Sequence, residues 1–307
     1  MSALDATVDR YLMIRRSLGY QLLADGPRLH DFAAYLDARG TTTVTVQAAL
    51  AWACRPPQAS RPLMSARLTT VRGFAAYLAA FDPDTQIPPA HLLAAGVHRR
   101  IPYLYTPTQI EALMAAAAQL PGPLRAASWR TLIGLMAATG LRTGEAVRLQ
   151  RQDVDLAGGL LLVRGSKNDR TRQLPLHPST VTALSTYTRR SDQLRPRPAD
   201  TFLISDTGAP LGGPSLSRCF RGLLAGTGIA APPGRRPPRL YDLRHTFAVA
   251  TLLGWHADRL DVQPLLPVLS TYLGHVNPAH TYWYLQAVPE LMSVLADRLQ
   301  RFLDGPR

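Results

Sequence analysis

One arginine in this sequence stands where a rigid backbone can aim a guanidinium at a phosphate. Arg142 follows the helix-terminating Gly140 and precedes a new helical segment, so it projects from a fixed corner. Glu145 follows about one helical turn later and can hold that guanidinium by a charge-assisted bond, although this spacing is also typical of surface pairs. Arg244 lies in another helical segment, three residues after Tyr241 on the same helix face.

The basic residues include a single lysine, Lys167, among the 34 Lys and Arg residues. A lysine ammonium can give up its proton when neighbouring cations lower its pKa, whereas a guanidinium keeps its charge. This chemistry suits a general acid, and Arg164, Arg170 and Arg172 are close to Lys167 in the sequence. Two alternatives stay open: these arginines follow a DNA backbone, or the lysine is a chance residue on a surface turn.

The segment Tyr282-Trp283-Tyr284 contains two candidate nucleophiles. A tyrosine hydroxyl can attack phosphorus and form a covalent intermediate, which divides one difficult transfer into two easier ones. If the segment is helical, the two hydroxyls point about 200° apart, so only one can address a given phosphate. His275 lies upstream and can donate a hydrogen bond to a charged phosphate. An aromatic cluster that packs the core is the alternative interpretation.

The elements that must position these residues are mostly helical. In the first 82 residues, apolar positions recur at helical spacing in four segments. These run roughly over Leu4 to Leu18, Gly26 to Leu36, Val44 to Cys54 and Ala59 to Ala80. The last segment carries Arg61, Arg67 and Arg72, which can contact phosphates or form a solvated helix face.

A proline-containing stretch then separates this helical region from a longer one. Thr106 is a good N-cap for the next helix, and a strongly apolar helix ends at Gly140. Strand-like runs at Leu160 to Arg164 and Thr171 to Leu176 predict a hairpin whose turn holds Lys167.

Further helices are expected after the hairpin, with an irregular Pro- and Gly-rich region between them. The helices are predicted over Ser179 to Arg190, Tyr241 to Gly254, Leu265 to Gly274 and Pro289 to Leu303. The sequence therefore predicts a mainly α, α+β protein with a small β-hairpin. We expect a helical domain over 1–90, a linker over 91–105 and a second domain over 106–307.

Composition favours an acidic partner. The chain of 307 residues carries 34 basic and 21 acidic side chains and a net charge of +13, which favours a polyanion such as nucleic acid. An anionic membrane surface would also attract it, but the basic residues are not clustered and no apolar run is long enough to span a bilayer. The first ten residues contain no signal-peptide core. We therefore expect a cytoplasmic protein without a membrane partner.

Four boxes of this sequence, in order, resemble those of the tyrosine recombinase (phage integrase) family. The first box (138–149) is Ala-Thr-Gly-Leu-Arg-Thr-Gly-Glu-Ala-Val-Arg-Leu, and the second (161–176) is the hairpin around Lys167. The third box (241–248) is Tyr-Asp-Leu-Arg-His-Thr-Phe-Ala, and the fourth (272–284) runs from Tyr-Leu-Gly-His to Thr-Tyr-Trp-Tyr. The fourth box is most similar to that of transposon-borne members.

The resemblance implies a site-specific recombinase, integrase or transposase with a helical core-binding domain followed by a catalytic domain. It assigns the nucleophile to Tyr284, the general acid to Lys167 and phosphate contacts to Arg142, Arg244 and His275. The DNA is cut through a 3′-phosphotyrosine that conserves the bond energy. The resemblance further implies that four protomers act on two duplexes, with accessory recombination proteins as further candidate partners. The apolar stripe of Pro289 to Leu303 favours a helix that links protomers, and folding back on its own domain is the alternative.

Neither ATP nor a metal is expected as a cofactor. The sequence contains no G-x-x-x-x-G-K-[ST] loop and no acidic cluster suited to two-metal cleavage. Cys54 and Cys219 are far apart and outside any C-x-x-C spacing, so they predict neither a zinc site nor a disulfide.

The third box departs from the family at its first position, where Tyr241 replaces a histidine. A tyrosine can donate a hydrogen bond to a phosphate oxygen, but it is a poor base at neutral pH. We expect His245 to be a helix residue bonded to backbone or to a neighbouring loop, because its side chain points about 100° away from that of Arg244.

Three other classes of protein are alternatives to a recombinase. A type IB topoisomerase uses similar tyrosine chemistry, and a non-catalytic DNA-binding protein that retains the fold is favoured only by Tyr241. A metalloenzyme would need His245, His256, His275 and His280, but these lack a helical His-x-x-x-His pair or carboxylate partners.

Overall fold

A computed structural model describes residues 3–56, 58–93, 101–166, 170–195, 197 and 199–287. The chain divides into two compact units, 1–99 and 100–307. The predicted segment Pro289 to Leu303 lies outside the described residues. Within them, no helix is both long and apolar enough to cross a membrane.

Four helices make up the described part of the first unit, as the periodicity predicts. They are α1 (Ala3–Ser17), α2 (Asp25–Asp37), α3 (Val46–Cys54) and α4 (Arg61–Leu78). Helix α3 begins after Thr45, whose hydroxyl accepts a hydrogen bond from the backbone N–H of Ala48. The core of the unit contains the fully buried Phe32, Trp52 and Phe74, with Phe32 and Trp52 in ring contact.

Arg67 of the fourth helix faces into its unit. Its guanidinium lies 3.7 Å from the centre of a Trp52 ring and forms a 3.1 Å ion pair with Asp31. The indole N–H of Trp52 donates to the same carboxylate at 2.9 Å. With a side chain only 13% exposed, Arg67 stabilises the packing of α2, α3 and α4.

The other two arginines of this predicted face differ from each other. Arg72 donates to the carbonyls of Pro88 and Pro89, at 2.7 and 2.8 Å, and so ties the chain that follows α4 back onto that helix. Arg61 is exposed at the start of α4. Contact with a phosphate stays a prediction for Arg61, Arg67 and Arg72. Of the three, Arg61 is the best placed for such a contact because it is exposed.

The second unit is built around buried helix α6. The α-helices among its described residues are α5 (Pro107–Ala118), α6 (Pro123–Thr139), α7 (Thr143–Val147), α8 (Pro178–Leu194), α9 (Gly213–Thr227), α10 (Asp242–Ala257), α11 (Leu265–Leu273) and α12 (Ala279–Ala287). Thr106 caps α5 in a capping box with Gln109, as the sequence predicts. Leu132, Ile133 and Met136 of α6 are fully buried in the main core.

The predicted hairpin belongs to a three-stranded antiparallel sheet of order β1-β2-β3. The strands are β1 (Val154–Asp155), β2 (Leu160–Ser166) and β3 (Arg170–Pro175). Leu161 lies opposite Val154 on one side and Leu174 on the other. Both leucines are fully buried, so this face of the sheet packs on the core. The expectation of a small sheet in a mostly helical protein is confirmed.

Helix α9 lies within the region that we expected to be irregular, so that expectation is wrong. Leu216, Phe220, Leu223 and Leu224 are spaced to form one stripe, and all four pack in or against the main core. Gly222 and Gly226 have no atoms near the place where a Cβ would stand. Burial of one apolar stripe outweighs the low helix propensity of these glycines.

Candidate active site

Arg142 occupies the corner between α6 and α7 that the sequence predicts. Helix α6 ends at Gly140, whose φ of 62° is left-handed. An added Cβ there would meet Phe247 at 2.5 Å, so the position requires glycine. Two residues later, Nη1 of Arg142 donates to the Glu145 carboxylate at 2.7 Å. The arginine side chain is 28% exposed and can be reached from solvent.

Glu145 joins two arginines. Its buried carboxylate accepts two hydrogen bonds from the Arg172 guanidinium, at 3.0 and 2.8 Å, besides the bond from Arg142. Burial alone would raise the pKa of this carboxyl, but the bonds and charges of Arg172 and Arg142 outweigh it and lower the pKa to about 2. Glu145 is therefore ionised at every physiological pH and holds both guanidiniums in place.

Replacing Glu145 with glutamine should destabilise the fold by about 3 kcal/mol at neutral pH, at about 1.4 kcal/mol per unit of the pKa shift from 4.5 to about 2. Because the folded-state pKa is lowered, this stability is present above pH 4.5 and is lost as the pH falls towards 2. Denaturant unfolding at a series of pH values measures the effect. The exposed Glu111, replaced in the same way, is the control. Equal losses in both variants would contradict this role of Glu145.

Arg244 of α10 is the second predicted phosphate-binding arginine, and it is fully buried. Its two Nη groups donate to the carbonyls of Gly140 and Leu273, at 2.8 and 2.7 Å. Its Nε has no hydrogen-bond partner among the described residues. Burial, followed by the charge of Arg142, lowers the Arg244 pKa to about 10, so the guanidinium stays charged at neutral pH.

The C-terminal end of α11 brings three arginines together. Arg172, Arg244 and Arg142 donate to three successive carbonyls, those of Tyr272, Leu273 and Gly274 respectively. A helix C-terminus carries unsatisfied carbonyls and partial negative charge, which stabilise cations there. Gly274 ends α11 with a φ of 70°, and an added Cβ would approach the Arg172 guanidinium to 2.8 Å. The turn after α11 thus concentrates positive charge in a small volume.

His275 follows this turn directly. Its Nδ1 lies 2.7 Å from the hydroxyl of Thr281, which is fully buried. Burial and the nearby positive charges of Arg244 and Arg142 lower the pKa of His275 to about 3. The imidazole is therefore neutral at physiological pH and can act as a hydrogen-bond donor rather than as a cation.

The two candidate nucleophiles on α12 have opposite environments, as the helical spacing predicts. Tyr284 is 2% exposed and packs with α10 and α11, whereas Tyr282 is 39% exposed. The Tyr284 hydroxyl lies 2.7 Å from Nδ1 of His245, which belongs to α10. Tyr284 thus lies beside His245, which directly follows the predicted arginine Arg244 in α10.

His245 is the functional candidate that the sequence interpretation missed. We expected it to bond to backbone or to a loop, but its ring partner is the Tyr284 side chain, 39 residues away. The rings of Tyr241, Trp283 and Tyr284 all contact the imidazole. Its position beside Arg244 was visible in the sequence, but nothing local indicated that α12 would pack against this face of α10.

The structure describes only some of the remaining predicted site residues. Lys167 and the side chain of Arg170 lie outside the described residues. Arg164 is 55% exposed and bonds at 2.6 Å to the buried Asp153, whereas Arg172 lies within the arginine cluster. Among the described residues, no group of three or more His, Cys, Asp or Glu side chains is arranged to hold a metal ion.

Comparison with known proteins places this chain in one class, the tyrosine recombinases. Residues 104–290 match the sequence model of the phage integrase family. The chain therefore belongs to the phage integrase family. It is 41% identical to y4rB of Sinorhizobium fredii, which is named as an integrase/recombinase, over 98% of both chains. It is 31% identical to the tyrosine recombinase XerD of Pseudomonas aeruginosa, over 85% of this chain and 87% of XerD.

The fold is also similar to that of a transposon-borne enzyme. The Tn1549 transposon integrase, solved in complex with a circular intermediate DNA, matches with a TM-score of 0.67. The match covers 96% of this chain and 99% of that one, at 15% identity. At this identity the likeness shows the shared fold alone.

Proposed function

We propose that this tyrosine recombinase cleaves and rejoins DNA at specific sites through a 3′-phosphotyrosyl bond to Tyr284. The observation that carries the proposal is the convergence of Arg142 and Arg244 on the adjacent carbonyls of Gly274 and Leu273. Tyr284 is buried and lies 2.7 Å from His245, the residue that follows Arg244, and His275 follows Gly274 directly. These residues are the parts that metal-free phosphoryl transfer needs.

Charge stabilisation comes from the arginines. A phosphodiester under attack gains negative charge on its non-bridging oxygens, and preorganised donors stabilise that charge without having to reorganise. Arg142 is partly exposed and is held by Glu145, so its guanidinium can make a paired contact with the phosphate. Neutral His275 adds a hydrogen bond to the same phosphate.

The reaction exchanges one ester for another. The Tyr284 oxygen bonds to phosphorus as the bond to the 5′ oxygen breaks, and Lys167 gives its proton to that leaving oxygen. The reverse reaction rejoins the strand. The ester bond energy is conserved, so neither ATP nor a metal is required.

DNA must rearrange the site before cleavage. Arg244 and Tyr284 are both buried, so a phosphate reaches them only after covering side chains move. The tyrosine is thereby kept from water and from incorrect phosphates. Cleavage is then expected only on bound DNA.

The partner is double-stranded DNA, which the net charge of +13 favours. We assign the helical residues 1–90 to DNA clamping, residues 91–105 to a linker and residues 106–307 to catalysis. Four protomers join two duplexes in the cytoplasm, with accessory proteins as further candidates. Because the fourth box resembles that of transposon-borne members of the family, a role in moving genetic elements is the favoured one.

The direct test is to detect a covalent adduct. The full chain is incubated in EDTA, without ATP, with a supercoiled plasmid that carries the DNA flanking its own gene. We expect adducts that survive detergent, together with nicked or relaxed plasmid. DNA binding without adducts under any metal or nucleotide condition would instead support a non-catalytic DNA-binding protein.

Binding to this DNA should weaken steeply with salt. Clamping a duplex releases condensed counterions, and a protein that makes 6–10 phosphate contacts loses roughly 10³- to 10⁵-fold in affinity between 50 and 200 mM salt. Titration by fluorescence anisotropy at several salt concentrations measures the slope. A flat affinity over this range would contradict the clamp.

A further inference from the structure

Position 241 leaves the proposed reaction without a proton acceptor. The hydroxyl proton of Tyr284 must leave as its oxygen bonds to phosphorus, and a tyrosine at position 241 is a poor base at neutral pH. Another group lies within hydrogen-bond distance of that hydroxyl. It is the imidazole of His245, whose Nδ1 lies 2.7 Å from the Tyr284 oxygen.

We propose that His245 accepts the Tyr284 proton during cleavage and returns it during rejoining, a role that rests on the proposed function. As the bond from Oη to phosphorus forms, the proton moves from Oη to Nδ1 and the imidazole becomes a cation. The 5′ oxygen leaves with a proton from the general acid. Rejoining reverses each transfer.

The position of His245 in α10 supports this role. It directly follows Arg244, which is fixed to the carbonyls of Gly140 and Leu273. One helix therefore carries both a phosphate-binding guanidinium and the acceptor for the nucleophile's proton. Ring contacts with Tyr241 on one side and with Trp283 and Tyr284 on the other hold the imidazole in place.

The surroundings of His245 keep it neutral. The pKa of His245 is lowered to about 4, chiefly by burial. The charge of Asp242 opposes this shift, and the charges of Arg239 and Arg244 add to it. Tyr241 and Tyr284 are the other titratable groups in ring contact with it. Asp242 is paired with Arg239 at 2.8 Å. The proposed role requires the tautomer whose Nδ1 carries no proton, because a neutral imidazole accepts a proton only at its unprotonated nitrogen.

The variant His245→Asn tests this role, because its amide can hydrogen-bond near the position of Nδ1 but cannot take up a proton. With the plasmid that carries the flanking DNA, we expect single-turnover adduct formation at pH 7 to fall by about 100-fold or more. The rate of the variant should rise with pH, as hydroxide replaces the base, while that of the wild type stays level. Imidazole added to His245→Ala should restore part of the rate.

The exposed His177, replaced by asparagine, is the matched control and should keep the wild-type pH profile. A wild-type profile in His245→Asn, or no rescue by imidazole, would assign His245 a packing role only. Tyr284-dependent adducts in the wild-type chain would still support the proposed function in that case. Absence of those adducts would end both proposals.

A spectroscopic measurement on the wild-type chain tests the proposal without relying on the folding of a His245 variant. In the full chain labelled with ¹⁵N-histidine, Nδ1 of His245 should show the chemical shift of an unprotonated ring nitrogen at neutral pH. The signal should move in Tyr284→Phe, because the hydrogen bond is lost. A protonated Nδ1 would make His245 a donor to the tyrosine oxygen and would overturn the proposal.

Discussion

Tyr284→Phe should abolish covalent protein–DNA adducts while leaving DNA affinity nearly unchanged. The substitution removes one hydroxyl, the proposed nucleophile, and keeps the aromatic ring in its buried position on α12. The arginines that would contact the phosphate are untouched. Denaturing gels of reactions with labelled DNA measure the adduct, and equilibrium binding at one fixed salt concentration measures the affinity.

Tyr282→Phe provides a matched control two residues away. Tyr282 is 39% exposed and, at helical spacing, its side chain points about 200° away from that of Tyr284, so its variant should form adducts at nearly the wild-type rate. Thermal unfolding of both variants checks that Tyr284→Phe still folds, since loss of the bond to His245 alone costs about 1 kcal/mol. Adducts that persist in Tyr284→Phe, or that vanish in Tyr282→Phe instead, would assign the nucleophile elsewhere.

Lys167→Arg should damage cleavage nearly as much as Lys167→Ala, with losses of roughly 10²- to 10⁴-fold expected for removal of a general acid. Arginine keeps the positive charge but does not give up its proton at neutral pH, so a purely electrostatic contact would survive the change. Single-turnover cleavage of a suicide substrate made from the flanking DNA measures the rate.

A 5′-bridging phosphorothiolate at the cut site separates the acid from the charge-stabilising groups. Its leaving sulfur needs no proton, so cleavage by both Lys167 variants should recover. It should do little for Arg142→Ala, because Arg142 would stabilise charge on the non-bridging oxygens. Full activity of Lys167→Arg on ordinary DNA would return Lys167 to the role of a surface turn residue.

The arginine cluster explains how a small site holds several cations. Arg142, Arg172 and Arg244 share the carbonyls that end α11, and the first two share Glu145. Breaking one contact leaves a buried group without its partner, which costs more than the bond itself contributes. This predicts that the arginine cluster keeps its geometry while the side chains that cover it move on DNA binding, as preorganised charge stabilisation requires.

Local sequence was sufficient for features that a few adjacent residues encode. Thr106 and Gly140 mark helix ends because a hydroxyl can cap an N-terminus and glycine tolerates a left-handed φ. The spacing of Arg142 and Glu145 predicted their ion pair, and the spacing of Tyr282 and Tyr284 predicted hydroxyls that point about 200° apart, in agreement with their different exposure. Helix α9 was missed because we gave its Gly and Pro content more weight than its apolar stripe.

Tertiary packing decided which distant side chains meet. His245 contacts Tyr284 only because α12 packs on α10, and Arg172 reaches Glu145 only because the sheet brings β3 to α7. Likewise, Arg67 looked like part of a phosphate-facing row, yet it stacks on Trp52 in its own unit. Sequence spacing determines which residues share a helix face, whereas burial of apolar surface determines which faces pack together. The packing of α12 on α10 is therefore what brings the proposed proton acceptor, His245, to Tyr284.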